Sequence, residues 1–297
     1  MNASLAYTTP PLKPMSINPT ARAWVEVDLD ALRANFESIR RAVGPGTALI
    51  PMVKADAYGL GCDRVVRALE PLAPWGYGVA TAEEGIRIRE LGVSRPILVF
   101  SPLLPESIEA AARARLTACI SDLGELEHLA AVAARTPGGL DFHVEVDTGM
   151  GRAGFRWHAV DGWAPAIAAR LSDELRWTGV FTHFYDADAP SLEPSLEQWD
   201  RFERTLERLP VPRESLLVHA ARSAAALRVR TFNADAVRPG IYLYGGHPAP
   251  ELREGIVPPP RPVVSLRSRL LLVRDVPEGA TVGYGATHVA SAPARWG

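Results

Sequence analysis

The stretch Ala48-Leu49-Ile50-Pro51-Met52-Val53-Lys54-Ala55-Asp56-Ala57-Tyr58-Gly59-Leu60-Gly61 decides how this chain is read. Residues 48–53 form a short apolar run of the kind buried on both faces of a parallel sheet. Glycines then interrupt the chain, and residues 63–72 have helical spacing. The run ends on an amine. Of 32 basic residues only Lys13 and Lys54 are lysines, so chemistry that needs a primary amine inside the fold falls to Lys54. Arginine cannot substitute, because its guanidinium stays protonated.

The same unit recurs downstream. Apolar runs at 76–80, 96–100, 117–120, 141–146, 175–181, 215–219 and from Ala236 onward alternate with amphipathic stretches. Those stretches are 81–91, 105–116, 124–135, 157–171, 196–209 and 223–227, the first opened by a capping-box pair, Thr81 and Glu84. Eight such runs in about 200 residues predict an α/β fold, a TIM-like (β/α)8 barrel, over an open doubly wound sheet. No G-x-G-x-x-G follows the first run, which weakens a dinucleotide-binding reading.

Working outward, residues 24–29 read as a further strand, Asp30 as the cap of a helix to Val43, and Gly44-Pro45-Gly46 as its stop. Past Gly246 the pattern changes. Residues 247–262 are proline-rich, and 263–273 and 280–284 alternate like edge β-structure around the turn Pro277-Glu278-Gly279. The expected organisation is a flexible tail at 1–22, a barrel at 23–246, and at 247–297 a linker with the beginning of a mostly-β C-terminal domain too short to bury its own core.

Bulk properties narrow the function classes. A net charge of -2 offers no basic field for nucleic acid or anionic membrane. No apolar run reaches the ~20 residues of a membrane span, and residues 1–20 lack the pattern of a signal peptide. Cys62 and Cys119 form no C-x-x-C pair, which argues against a zinc site or disulfide framework and fits a reducing cytoplasm.

In a barrel, functional groups sit at the C-terminal ends of strands. Polar residues interrupt the apolar runs at those ends: Lys54 and Tyr58, Asp147 to Arg152, Thr182-His183, His219 to Ser223, and Arg238-Pro239-Gly240-Ile241. Singly, each has a plain structural account, since a strand-end histidine is often just a satisfied polar group and Asp147-Thr148-Gly149 a simple turn. Together they would converge on one mouth.

Their order and wording resemble alanine racemases. V-K-A-D-A-Y-G-L-G (53–61) is similar to that family's lysine motif, and D-T-G-M-G-R (147–152), F-T-H-F (181–184), H-A-A-R-S (219–223), V-R-P-G-I-Y-L-Y-G (237–245) and V-G-Y-G-A-T (282–287) to its further motifs in sequence. The resemblance implies a pyridoxal 5'-phosphate enzyme that interconverts L- and D-alanine for cell-wall peptidoglycan. Lys54 would carry the cofactor as a Schiff base and be the base on one face of the substrate, with Tyr284, contributed by the other subunit of a homodimer, on the opposite face. Arg238 would face the pyridine nitrogen. Tyr58, Ser223, Gly240 and Ile241 would hold the phosphate. Arg152 would approach the substrate carboxylate, and His183 and His219 would buttress Arg238. Glu145 stands where the family often has a modified lysine, and would orient Arg152 with its carboxylate. Arg222 stands where the family usually has asparagine. The resemblance also implies a longer C-terminal part bearing a further tyrosine on the phosphate. Competing readings are a racemase of serine or another small amino acid, a barrel-type decarboxylase, and a non-catalytic carrier of the cofactor.

Overall fold

The structure, a computed structural model, describes residues 20–249, 252 and 257–297; the first nineteen residues of the expected tail and part of the expected linker lie outside them. It divides into two units, whose described parts are 28–263 (less the undescribed linker residues) and 20–27 with 264–297.

The larger unit is the barrel. Its strands run, neighbour to neighbour, Ala48–Leu49, Ala236–Arg238, Leu217–Arg222, Leu175–Phe181, Leu140–Asp147, Thr117–Ile120, Ile97–Val99 and Tyr77–Val79, each pair parallel. A parallel bridge between Met52 and Gly78 joins the last strand to the continuation of the first, through Val53 N–H to Gly78 O (2.8 Å) and Gly78 N–H to Pro51 O (2.9 Å). The (β/α)8 expectation therefore holds. Ile50, Leu98, Cys119, Phe181 and Ala236 form one buried cluster. Helices cover the other face of the strands, which is why the runs are apolar without alternation.

Local chemistry sets the element ends. The helix Leu29–Val43 buries Leu32, Phe36, Ile39 and Val43, and stops at Gly44 with φ 93°. Its cap is Asp28, whose carboxylate accepts from Asp30 N and Ala31 N, and not Asp30 as expected; the strand before it ends two residues sooner, at Val27. Thr81 caps Ala82–Glu90 through its hydroxyl, but Glu84 completes the motif differently, as described below. An unexpected strand, Phe155–Arg156, pairs with Val146 and Asp147 and anchors the far end of the D-T-G-M-G-R turn.

The second unit is a set of antiparallel pairs. Ala23–Val27 pairs with Val264–Ser268, Arg274–Val276 with Ala294–Trp296, and Thr281–Val282 with His288–Val289. The strand expected to open the barrel domain thus pairs within this unit. Its partner lies some 240 residues away, and strand pairing at that separation leaves no local signal. Leu266, Leu270, Leu271 and Leu272 are exposed, and only Val263 outside this unit and Val276 and Ala290 within it are buried apolar residues from 258 onward. Among the described residues no helix is long and apolar enough to cross a membrane.

Candidate active site

Lys54 opens a left-handed turn. Ala55, Asp56, Ala57 and Tyr58 have φ of 53°, 53°, 55° and 58°. L-residues there cost roughly 1–2 kcal/mol each, so this stretch must be held from outside. Glu84 does so: its carboxylate accepts from Ala55 N (2.6 Å) and Ala80 N (2.8 Å). Asp56 folds back to accept from Cys62 N (2.8 Å) and meets Arg87 at 3.3 Å. The turn brings Lys54 and Tyr58, four residues apart, onto the wall of one cavity of about 460 Å³, within the size range of small-molecule sites.

Tyr58 packs against Tyr244, with ring centroids 4.6 Å apart and the planes tilted by 32°. Its hydroxyl comes so near Gly240 that a Cβ there would lie 2.3 Å from the oxygen. Only glycine admits that approach. Beside it, Ser223 Oγ accepts from Gly240 N (2.9 Å) and Tyr242 N (3.4 Å). With both acceptor positions filled, the serine O–H is left to donate. Arg222 enters the same wall and is ion-paired to Asp188.

Arg238 lies across the floor, 3% exposed. Its NH1 donates to His219 Nδ1 (2.5 Å) and His219 O (3.0 Å), and its NH2 to Thr182 O (2.8 Å) and Ala220 O (2.9 Å), with His183 Nδ1 at 3.3 Å. The guanidinium sits over Phe181 and Phe100, at 5.1 and 5.5 Å from the ring centres. Among the described residues nothing accepts from its Nε–H. Burial lowers its pKa to about 10, which still leaves it charged at neutral pH. Burial and then Arg238 drive the pKa values of His183 and His219 well down, so both rings are neutral.

Glu145 and Arg152 complete the wall. Burial raises the Glu145 pKa, opposed by Arg152 and Arg238. No hydrogen bond or ion pair joins Glu145 to Arg152 in the structure, so the orienting contact expected of Glu145 is not made directly. Asp147 and Thr148 shape the turn that delivers Arg152. Asp147 Oδ1 accepts from Gly149 N and Gly151 N, both at 3.0 Å, and Thr148 meets Thr182 at 2.7 Å.

The structure therefore gathers Lys54, Tyr58, Glu145, Arg152, His183, Ser223, Arg238, Gly240 and Ile241 around one cavity. His219 stands behind Arg238 rather than on the wall, and Tyr284 is in the second unit on the short turn Tyr284–Ala286, its side chain fully exposed. Sequence reading missed Phe100, whose apolar character hid it among core residues, gave Phe181 no role although it opens the F-T-H-F motif, and missed the part played by Glu84. Four cations, Lys54, Arg152, Arg222 and Arg238, face one carboxylate, Glu145. Such a wall favours a ligand with a phosphate and a carboxylate. The amine, the buried guanidinium and the tyrosine–serine–glycine cradle fit an aromatic aldehyde phosphate.

Comparison with known proteins agrees. The family model "Alanine racemase, N-terminal domain" matches residues 27–248. The alanine racemase of Synechocystis sp. is 36% identical over 271 residues, covering 89% of this chain and 70% of that protein. Among solved structures, the biosynthetic alanine racemase from Pseudomonas aeruginosa superimposes with a TM-score of 0.80 at 32% identity, covering 92% of this chain and 74% of that one. The histidine racemase of Leuconostoc mesenteroides subsp. sake gives 0.79 at 25% identity, covering 93% and 73%.

Proposed function

Since this chain belongs to the alanine racemase family, we propose that it interconverts L- and D-alanine with pyridoxal 5'-phosphate held in the cavity around Lys54. The observation that carries this is the convergence of five of the six family-like motifs, all those of the barrel, on that cavity.

When bound, the cofactor draws electron density from the α-carbon of the amino acid and loosens its proton. The rest is the work of this chain's residues. Lys54, the one lysine among the described residues, would hold the cofactor through its amine and would hold a proton on one face of the substrate. Tyr58 and Ser223 donate hydroxyls to the phosphate, with Gly240 and Ile241 lining its place and Arg222 adding charge. Arg238 would offer its unbonded Nε–H to the pyridine nitrogen. As a fixed cation it disfavours protonation of that nitrogen, which restrains electron withdrawal and limits side reactions. Arg152 receives the substrate carboxylate. Tyr284 handles the proton on the opposite face, as racemisation requires. The active form is a homodimer with shared sites, a reading supported by the exposure of the Tyr284 hydroxyl, which leaves it able to serve a second copy. Two buried free cysteines fit a reducing, cytoplasmic setting, where the product would supply peptidoglycan synthesis.

Borohydride should trap the bound cofactor on Lys54, and in D2O the α-proton of alanine should exchange without release of CO2. An adduct elsewhere, or CO2 release, overturns the reading. The likeness to a histidine racemase makes substrate breadth a fair alternative, so serine and histidine belong in the same assay.

A further inference from the structure

A second histidine that no motif singles out lies behind Arg238. His143, on the strand Leu140–Asp147, is 1% exposed, and its Nδ1 is 2.9 Å from His219 Nε2. These two strands are not neighbours; Leu175–Phe181 runs between them. The ring crosses that strand above Gly179, its register partner, where a Cβ would sit 2.4–2.5 Å from three atoms of the imidazole. A backbone position kept bare for one side chain to reach another is a built contact, not incidental packing.

Arginine sets the direction of this chain of bonds. The NH1 group of Arg238 only donates, so His219 Nδ1 must be bare and its proton must sit on Nε2. That Nε2–H donates to His143 Nδ1, which must also be bare, so His143 carries its proton on Nε2. The reverse polarity would leave His219 with no proton on either nitrogen. Both rings are thus neutral and both are Nε2–H tautomers. Phe181, stacked on His219 at 4.9 Å and 7°, holds that ring flat in place.

We propose that His143 is a positioning residue for the racemase site: by accepting from His219 it locks the tautomer that receives Arg238, and so keeps the guanidinium where it lines the cavity. Without an acceptor at that place, His219 is free to move its proton to Nδ1, where it opposes an Arg238 N–H. The consequence for the cofactor rests on the functional reading above; the proton positions do not.

The test is ¹⁵N NMR of histidine-labelled protein without added cofactor, followed by titration with pyridoxal 5'-phosphate. Wild type should show His143 and His219 neutral and protonated on Nε2 at pH 7. His143→Leu should shift His219 away from a pure Nε2–H tautomer and weaken cofactor affinity about tenfold, the order expected for a lost charge-linked hydrogen bond. His143→Asn should restore both, since asparagine Oδ1 stands where Nδ1 stood, whereas a merely structural role would show only in stability. A wild-type proton on Nδ1 of either ring overturns the proposal even if the leucine variant fails to fold. So does a leucine variant with unchanged tautomer and affinity. Correct tautomers in a protein that binds no pyridoxal phosphate would instead count against the functional reading alone.

Discussion

Glu84→Ala should unseat Lys54 although the two side chains do different work. The four left-handed residues after Lys54 carry an unfavourable backbone energy of about 4–8 kcal/mol in total. The Glu84 carboxylate opposes their relaxation with two hydrogen bonds, at 2.6 and 2.8 Å. Bonds to an ionised acceptor contribute about 1.5–3 kcal/mol each. Glu84 is only half-buried, so the lower end applies, and the pair holds about 3 kcal/mol. For 297 residues the unfolding entropy is roughly 0.6 kcal/mol/K, which converts that loss into a fall in Tm of about 5 °C. The same loss should slow borohydride trapping of pyridoxal phosphate on Lys54 by about tenfold or more, because small misplacements of a reacting group are costly. Glu84→Gln keeps one acceptor oxygen and should lose about half the stability. The assays are a thermal melt without cofactor and timed trapping with mass mapping. A Glu84→Ala protein that melts within about 1 °C of wild type and traps cofactor at the wild-type rate would falsify the view that this carboxylate holds the turn.

Four further outcomes follow from the same geometry. Ala55→Gly, at an exposed position with φ 53°, should stabilise the protein by about 1 kcal/mol, measured by urea denaturation, where an alanine-to-glycine change ordinarily destabilises. Gly240→Ala places a methyl 2.3 Å from the Tyr58 hydroxyl and should weaken cofactor affinity at least about tenfold, read by fluorescence titration; unchanged affinity would contradict the cradle. Stability should fall on acidification: His143, lowered to about 3, with His183 and His219, is neutral when folded but protonates in the unfolded chain below its ordinary value near 6.5. Their contribution is therefore full above pH 6.5 and falls as pH drops below it, at about 1.4 kcal/mol per pH unit for each, with that of His143 exhausted near pH 3, and His143→Asn should flatten the denaturation slope by one such increment. Mixing Lys54→Ala with Tyr284→Phe subunits, each inactive alone, should recover at most about a quarter of wild-type activity in hybrid dimers; no recovery with subunit exchange demonstrated would put both residues in one chain's own site.

Much was legible in one dimension because it depends on short-range pattern. Apolar runs of strand length, helical spacing between them and glycine stops specify the β-α repeat, and the rule that functional groups cluster at strand ends turned polar interruptions such as Lys54, His183 and Arg238 into site candidates. Thr81 was readable as a cap for the same reason. What tertiary structure alone decided was every relation between residues far apart in the chain. Ala23–Val27 looks like any strand until Val264–Ser268 pairs with it. Four positive φ angles at non-glycine residues run against local preference, and a carboxylate arriving from Glu84, 29 residues on, helps to sustain them. His143 shares a strand face with Glu145 and Asp147, a hint in the alternation, yet its role depends on Gly179 leaving room and on Arg238 dictating which nitrogen is bare. Propensity and hydrophobic period act over a few residues; hydrogen-bond direction and steric clearance act through space, between atoms the chain brings together only when the barrel closes.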